Sequence, residues 1–191
     1  FKNVTFKVTL KSNNEYVGLI GQSLNRANTK SKLLNVRLIK KKKSLFKILK
    51  ERMLNNREWI KLKKYCDTLG LIFFATVAFE EDLIFLKKIK CPSIKIASAD
   101  INHQHLIEKA AKMGFVIQLD TAMATLHELK SAIRVIEKQS NKKIIIHHCP
   151  TGYPAKINDI NINNLIYLKN TFNYPIAFSD HSPGYDIDIM A

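Results

Sequence analysis

From Leu71 to Phe178 short continuous apolar runs alternate with stretches of helical period. This alternation constrains the fold more than any other feature. The runs are Leu71–Ala75, Ser93–Ala97, Phe115–Leu119, Lys143–His148 and Pro175–Phe178. Each is strand-length and continuous rather than alternating, which is the pattern of a strand buried on both faces. Between them lie helical segments with start and stop signals. Glu80–Ile89 carries acids in its first turn and lysines in its last, the sense the helix dipole favours. Asn102 is placed to cap a helix through Leu106, Ala110 and Met113, with Gly114 as its stop. Thr125 and Glu128 form a capping box ahead of Leu126, Leu129, Ile133 and Ile136. A weaker helix is expected around Leu165–Leu168. About five strands with helices between them predict a parallel sheet covered on both faces. A dinucleotide-binding sheet would need a Gly-rich turn after an early strand, and no G-x-G-x-x-G occurs.

Polar residues gather where these strands end: Thr76, then Lys95, Ser98 and Asp100, then Asp120 and Thr121, then Ser179, Asp180 and His181. Functional groups at strand C-termini are the arrangement of a (β/α) barrel. Taken singly, a Ser, Thr or Asp at a strand end is an ordinary turn or capping residue. Lys95 is different. A lysine inside an apolar strand is costly unless it is paired. The fold expected is α/β, a TIM-type (β/α) barrel in part. A complete barrel takes roughly 250 residues, and this chain has 191.

Upstream the pattern is weaker. Trp59, Leu62, Cys66 and Leu69 make a helical face, with Asn56 as cap and Gly70 as stop; Leu45, Ile48 and Leu49 make a shorter one. Residues 1–43 form an irregular basic segment, and 44–191 the barrel portion. Within the first, Val4, Phe6, Val8 and Leu10 alternate as in a strand, Asn13 and Asn14 read as a turn, and Tyr16–Ile20 as a second short strand. From Gln22 to Lys32 no period is seen, and Lys40–Lys43 is a basic run. The net charge of +15 allows an anionic partner. No aromatic interleaving or groove-binding motif supports nucleic acid, so most of the charge is read as solvated lysine.

No run of about 18 apolar residues occurs, so no membrane helix is predicted. The N-terminus lacks a signal-peptide core and an initiator Met, which suggests a chain that starts within a longer protein. Cys66, Cys91 and Cys149 are widely spaced with no C-x-x-C pair, as expected in a reducing cytoplasm.

The run Lys95-Ile96-Ala97-Ser98-Ala99-Asp100 resembles the K-I-x-S-G-[DE] motif of the N-acetylneuraminate (sialic acid) synthases, with one Gly-to-Ala change. Asp120-Thr121-Ala122-Met123 is similar to their S-T-G-M at two of four positions. His148-Cys149-Pro150-Thr151-Gly152-Tyr153-Pro154 resembles H-C-T-x-x-Y-P, and Ser179-Asp180-His181 matches without departure. The resemblance runs from Ser44 to Ala191.

It implies condensation of phosphoenolpyruvate with an N-acyl hexosamine aldehyde, such as N-acetylmannosamine, to give a nonulosonic acid and phosphate. Thr76, Lys95, Ser98, Thr121 and Ser179 are then expected at phosphoenolpyruvate, and Thr151, Tyr153 and Asp180 at substrate. Asp100 is the expected acid–base or substrate-holding group. His181 is the expected catalytic ligand of a divalent metal, manganese by resemblance, with its second histidine beyond Ala191. Asp120 stands where the family has Ser, and a carboxylate there repels phosphate unless protonated or turned away. His148 is expected not to point at His181, and Cys149 is read as packing. The resemblance also implies a homodimer of the full-length protein. Two other readings stay open. One is another phosphoenolpyruvate-condensing barrel, such as a deoxy-sugar-acid synthase, whose phosphosugar pocket should be richer in Arg. The other is a non-catalytic, truncated or degenerate barrel fragment.

Overall fold

The computed structural model describes residues 53–183 and 186–191. The strands, turn and basic run expected within residues 1–43, and the helical face at Leu45–Leu49, lie outside the described residues. The chain divides into two compact units, with Pro92 closing the first and Ser93 opening the second.

In the first unit α1 (Asn56–Thr68) leads to β1 (Phe74–Val77) and α2 (Glu80–Lys88). The cap of α1 is Asn55, one residue before the one expected. Its Oδ1 accepts from the N–H groups of Arg57 and Glu58 at 2.9 and 3.1 Å. The Glu58 carboxylate accepts from the Asn55 N–H at 2.6 Å and completes the box. Gly70, at φ 66°, ends the helix in the left-handed region that a Cβ disfavours. The strand starts later than Leu71 because the Leu71 N–H still bonds the Cys66 carbonyl at 2.9 Å. Ile72 is 80% exposed there, whereas Phe73 is buried edge-on against Trp59 with ring centroids 6.1 Å apart.

In the second unit β2 (Ser93–Ile96), α3 (Gln104–Lys112), β3 (Val116–Asp120), α4 (Leu126–Glu137), β4 (Ile144–His148), α5 (Asn163–Thr171) and β5 (Ile176–Phe178) alternate, and α6 (Asp186–Met190) follows. The strands β2, β3, β4 and β5 are parallel neighbours in that order. The order never reverses, so the switch point of a doubly wound sheet is absent from this unit. Sequential parallel strands with helices between them are part of a (β/α) barrel, as expected.

Register sorts the side chains. Lys95 pairs Gln118, Asp120 pairs His147, and His147 pairs Ala177. Period two then puts Ile94, Ile96, Ile117, Leu119, Ile144 and Ile146 on one face, all buried. That face supplies the core with Leu106, Ile107 and Ala110 of α3 and Leu129, Ala132 and Ile136 of α4. Each isoleucine or leucine among them contributes about 1.5–3 kcal/mol over leaving it exposed. The opposite face carries Ser93, Lys95, Gln118, Asp120 and His147. There the His147 imidazole meets the Gln118 amide oxygen at 2.9 Å, and the Gln118 amide donates to Ser93 Oγ at 2.9 Å.

The Thr125–Glu128 box is present, and Gly114 (φ 76°) ends α3. Asn102 is not a cap: a 3-10 turn at Ser98–Asp100 intervenes, and α3 begins after His103 without a side-chain cap. The Asn102 carbonyl accepts from the Gln104 N–H just ahead of α3. The short α6 was not expected from the sequence. A core test follows from this layering. Ile146→Ala should lower unfolding free energy by about 2–5 kcal/mol in urea titration, whereas Ile72→Ala should change it by about 0.5 kcal/mol or less.

Candidate active site

Parallel strands present their C-terminal ends together, and in the second unit these ends hold one connected polar group. Lys95 emerges on the polar face of β2, with Asp120 beside it at the end of β3. The Lys95 Nζ lies 2.9 Å from Asp120 Oδ2, with the two side chains 16% and 10% exposed. The same ammonium donates to Ser179 Oγ at 3.0 Å. Ser179 follows β5 directly, and its N–H bonds the His148 carbonyl at 2.8 Å, which extends the strand ladder and fixes the hydroxyl. Lys95 therefore has the partner that its position in an apolar strand demands. Asp120 faces the same site as Lys95 and neutralises it. Its other oxygen, Oδ1, is buried without a hydrogen-bond partner.

A second group lies beside the first. The Cys149 sulfur is 3.6 Å from His181 Nε2 and 3.8 Å from Nδ1. The ring of Tyr153 covers that of His181, with centroids 4.1 Å apart and planes 32° apart. The Ala155 N–H donates to the His181 carbonyl at 2.8 Å, tying the loop after β4 to the one after β5. In the first of these loops Gly152 sits at φ 95°, where a Cβ would lie 3.1 Å from the Pro154 carbonyl oxygen. Asp180 closes its own turn, accepting from the Ser182 N–H and Oγ at 2.8 Å each.

Burial sets the protonation states. It pushes the Cys149 thiol up to about 12, and the neighbouring Asp120 charge pushes the same way. Burial also lowers the His181 pKa, against the opposing pull of Asp120. His148 is lowered by burial too. Its ring packs on Phe178 with centroids 5.8 Å apart, on the face that carries the apolar core residues.

The remaining expected residues are placed differently. Ser98 and Asp100 form the half-buried turn after β2, and Ser98 makes no side-chain bond to Lys95, Asp120 or Ser179. The Thr121 hydroxyl donates to the His147 carbonyl at 2.8 Å, so its proton serves the fold. Thr151 is exposed in the loop after β4. Thr76 lies half-buried on β1 of the first unit. Cys149 does more than pack, since it joins His181 to the Lys95 cluster. A Cys beside a metal-motif His in the sequence was the available signal for it.

Residues 21–191 match the NeuB family model. The chain belongs to the NeuB family. The match begins inside the segment read as irregular. An uncharacterized protein of Methanocaldococcus jannaschii is 35% identical over 146 residues, 76% of this chain and 43% of that protein. An N,N'-diacetyllegionaminic acid synthase of Campylobacter jejuni is 32% identical over 138 residues, 71% of this chain and 40% of that protein. The crystal structure of N-acetylneuraminic acid (sialic acid) synthetase from Leptospira borgpetersenii, in complex with citrate, superposes with a TM-score of 0.72 at 31% identity, covering 76% of this chain and 50% of that one. The chain thus spans half or less of the length of these proteins. No helix among its described residues is long and apolar enough to cross a membrane.

A metal fits these residues poorly. Among the described residues no three His, Cys, Asp or Glu side chains are grouped to hold one. His181 offers one imidazole, and a single imidazole does not hold a metal by itself.

Two measurements check this geometry. Lys95→Met should destabilise the fold by about 3–5 kcal/mol by stranding the Asp120 carboxylate, and Lys95→Met/Asp120→Asn should recover most of that loss. Cys149 titrates near 9 when unfolded and at about 12 when folded, so its contribution is complete below pH 9 and is lost as pH rises toward 12. Cys149→Ala should therefore flatten the fall of melting temperature over that alkaline window.

Proposed function

We propose that the mouth formed by Lys95, Asp120 and Ser179 binds phosphoenolpyruvate and that the protein condenses it with an N-acyl hexosamine. The observation that carries this reading is the Lys95 ammonium held by Ser179 at 3.0 Å between the ends of β2 and β5. Lysine supplies a point charge for a phosphate or carboxylate, and a fixed hydroxyl supplies direction. The Campylobacter relative is named a synthase of a diacetylated legionaminic acid, and the Leptospira relative, a sialic acid synthetase, holds citrate, a multiply charged carboxylate. Both suit an anion-plus-amino-sugar chemistry.

In this reading the methylene carbon of phosphoenolpyruvate forms a bond to the aldehyde carbon of the open-chain sugar. Water adds at the enol carbon, and inorganic phosphate leaves. Lys95 and Ser179 hold the anion while this occurs. Tyr153, 57% exposed above His181, offers an aromatic face to the sugar. Ser98, Asp100, Thr121, Thr151, Asp180 and Thr76 are assigned no step. A divalent metal on His181 would need ligands from outside the described residues, and no step here is routed through one.

A deoxy-sugar-acid synthase is the second reading, but the mouth described here contains no Arg. Calorimetric titration of residues 1–191 with phosphoenolpyruvate tests the first half of the proposal. We expect Lys95→Met to weaken binding at least about tenfold. The second half is tested in the full-length protein as phosphate release that requires N-acetylmannosamine. Equal affinity for wild type and Lys95→Met would overturn the anion site, and release indifferent to the amino sugar would overturn the condensation.

A further inference from the structure

The Asp120 carboxylate is placed where an anionic ligand would otherwise be repelled, yet one of its oxygens is unused. Oδ2 is engaged by Lys95 at 2.9 Å. Oδ1 is buried without a hydrogen-bond partner, in a residue 7% exposed. A buried carboxylate oxygen left unsatisfied is costly, so it marks a position that is completed by something else. The groups around it narrow what that is. Lys95 is shared between Oδ2 and Ser179 Oγ. The Cys149 thiol leans on the Asp120 carboxylate, but sulfur is a weak donor and leaves Oδ1 short of a full hydrogen bond. A second anion can share this space with Asp120 if a proton lies between the two.

We propose that Asp120 is a specificity-determining residue: Oδ1 accepts a hydrogen bond from a P–OH group, so the site takes phosphate bearing a proton and rejects a fully ionised oxyanion of the same shape. In such a complex the anionic oxygens of the ligand lie toward Lys95 and Ser179, and its protonated oxygen lies toward Oδ1. A ligand without that proton puts bare oxygen against bare oxygen in a desolvated place. Sites built around such a hydrogen bond reject analogues that lack the partner far more strongly than sites that sort by size. The inference rests on reading Lys95 and Ser179 as an anion site. It requires nothing of the amino sugar or of the condensation.

Sulfate and inorganic phosphate are tetrahedral and nearly equal in size. At neutral pH every phosphate species carries at least one P–OH, whereas sulfate carries no proton. Each would be titrated separately into residues 1–191 at fixed pH and ionic strength, with heat and melting temperature followed together. Wild type should bind phosphate at least about tenfold more tightly than sulfate. In Asp120→Asn the amide also donates, so the ratio should fall to within about threefold through a gain in sulfate affinity. General damage to the site would not produce such a gain. Lys95→Met should abolish binding of both anions.

Equal affinity of wild type for the two anions, or no binding of either, overturns the proposal. Persistence of the phosphate preference in Asp120→Asn also overturns it. Should that variant fail to fold, the wild-type ratio still decides, and Asp120→Ser supplies the neutral comparison. Phosphate selectivity that survives while phosphoenolpyruvate fails to bind would sink the condensation reading and leave this one standing.

Discussion

The ion pair between Lys95 and Asp120 is the interaction on which the second unit's site depends. Each charge alone would be a defect in its strand. Lys95 interrupts a strand whose neighbours Ile94 and Ile96 are fully buried. Asp120 ends a strand in which Ile117 and Leu119 are equally buried. Parallel register places β2 and β3 side by side and aims both groups at one face, where 2.9 Å separates them. Desolvation makes such a pair a weak source of net stability but makes its disruption expensive. The pair therefore specifies register more than it adds stability. Slipping β2 by one residue would send Lys95 to the apolar face and Ile94 or Ile96 to the polar one.

The same logic organises the polar face in two tiers. Ser93, Gln118 and His147 form one tier, a hydrogen-bonded chain that crosses β2, β3 and β4, anchored where Ser93 Oγ donates to the Val116 carbonyl at 3.0 Å. At the strand ends, Lys95, Asp120 and Ser179 form the charged tier. The charged tier has one oxygen to spare, at the end where ligands enter a barrel. Thr121 shows how closely structure and site are interleaved. It follows Asp120, and its N–H and hydroxyl both bond the His147 carbonyl, holding the end of β3 to β4.

Much of this was legible in the residues themselves. Continuous apolar runs marked β2 to β5, since a strand buried on both faces has no other composition available. Lys95 advertised its need for a partner by standing in such a run, but that Asp120 is this partner follows only from the ion pair that the fold forms. What was not legible has particular causes. Helix α1 is capped by Asn55 rather than Asn56 because two adjacent asparagines offer the same side chain, and the capping box with Glu58 decides between them. The 3-10 turn at Ser98–Asp100 displaced the cap expected at Asn102. Two helices end at Lys90 and Ser140, both at φ 57°. A left-handed residue without glycine carries no sequence signal. Asn141 resembles a loop residue, yet its buried amide donates to the Ala111 and Phe115 carbonyls and joins the end of α3 to the approach to β4. Such contacts are set by tertiary approach, which local pattern does not contain.

Beside the charged tier, Cys149, Tyr153 and His181 make the other half of the mouth from groups that carry no charge at neutral pH. The two halves meet at Cys149. Its thiol lies against Asp120 on one side and 3.6 Å from His181 on the other. A thiolate at that point would set two negative charges together in a desolvated space, and the thiol's rise to about 12 is the consequence of avoiding this. A neutral thiol passes no charge between Asp120 and His181. The imidazole is thereby left to burial, which favours its neutral form, with Asp120 only partly opposing. A neutral imidazole has one nitrogen with a lone pair to offer, to a metal or to a proton on substrate. The Lys95 charge works with burial, since a nearby cation also disfavours the imidazolium. Asp120 works against both, so the carboxylate that complicates anion binding in one half of the mouth also limits how far the imidazole in the other half is held neutral.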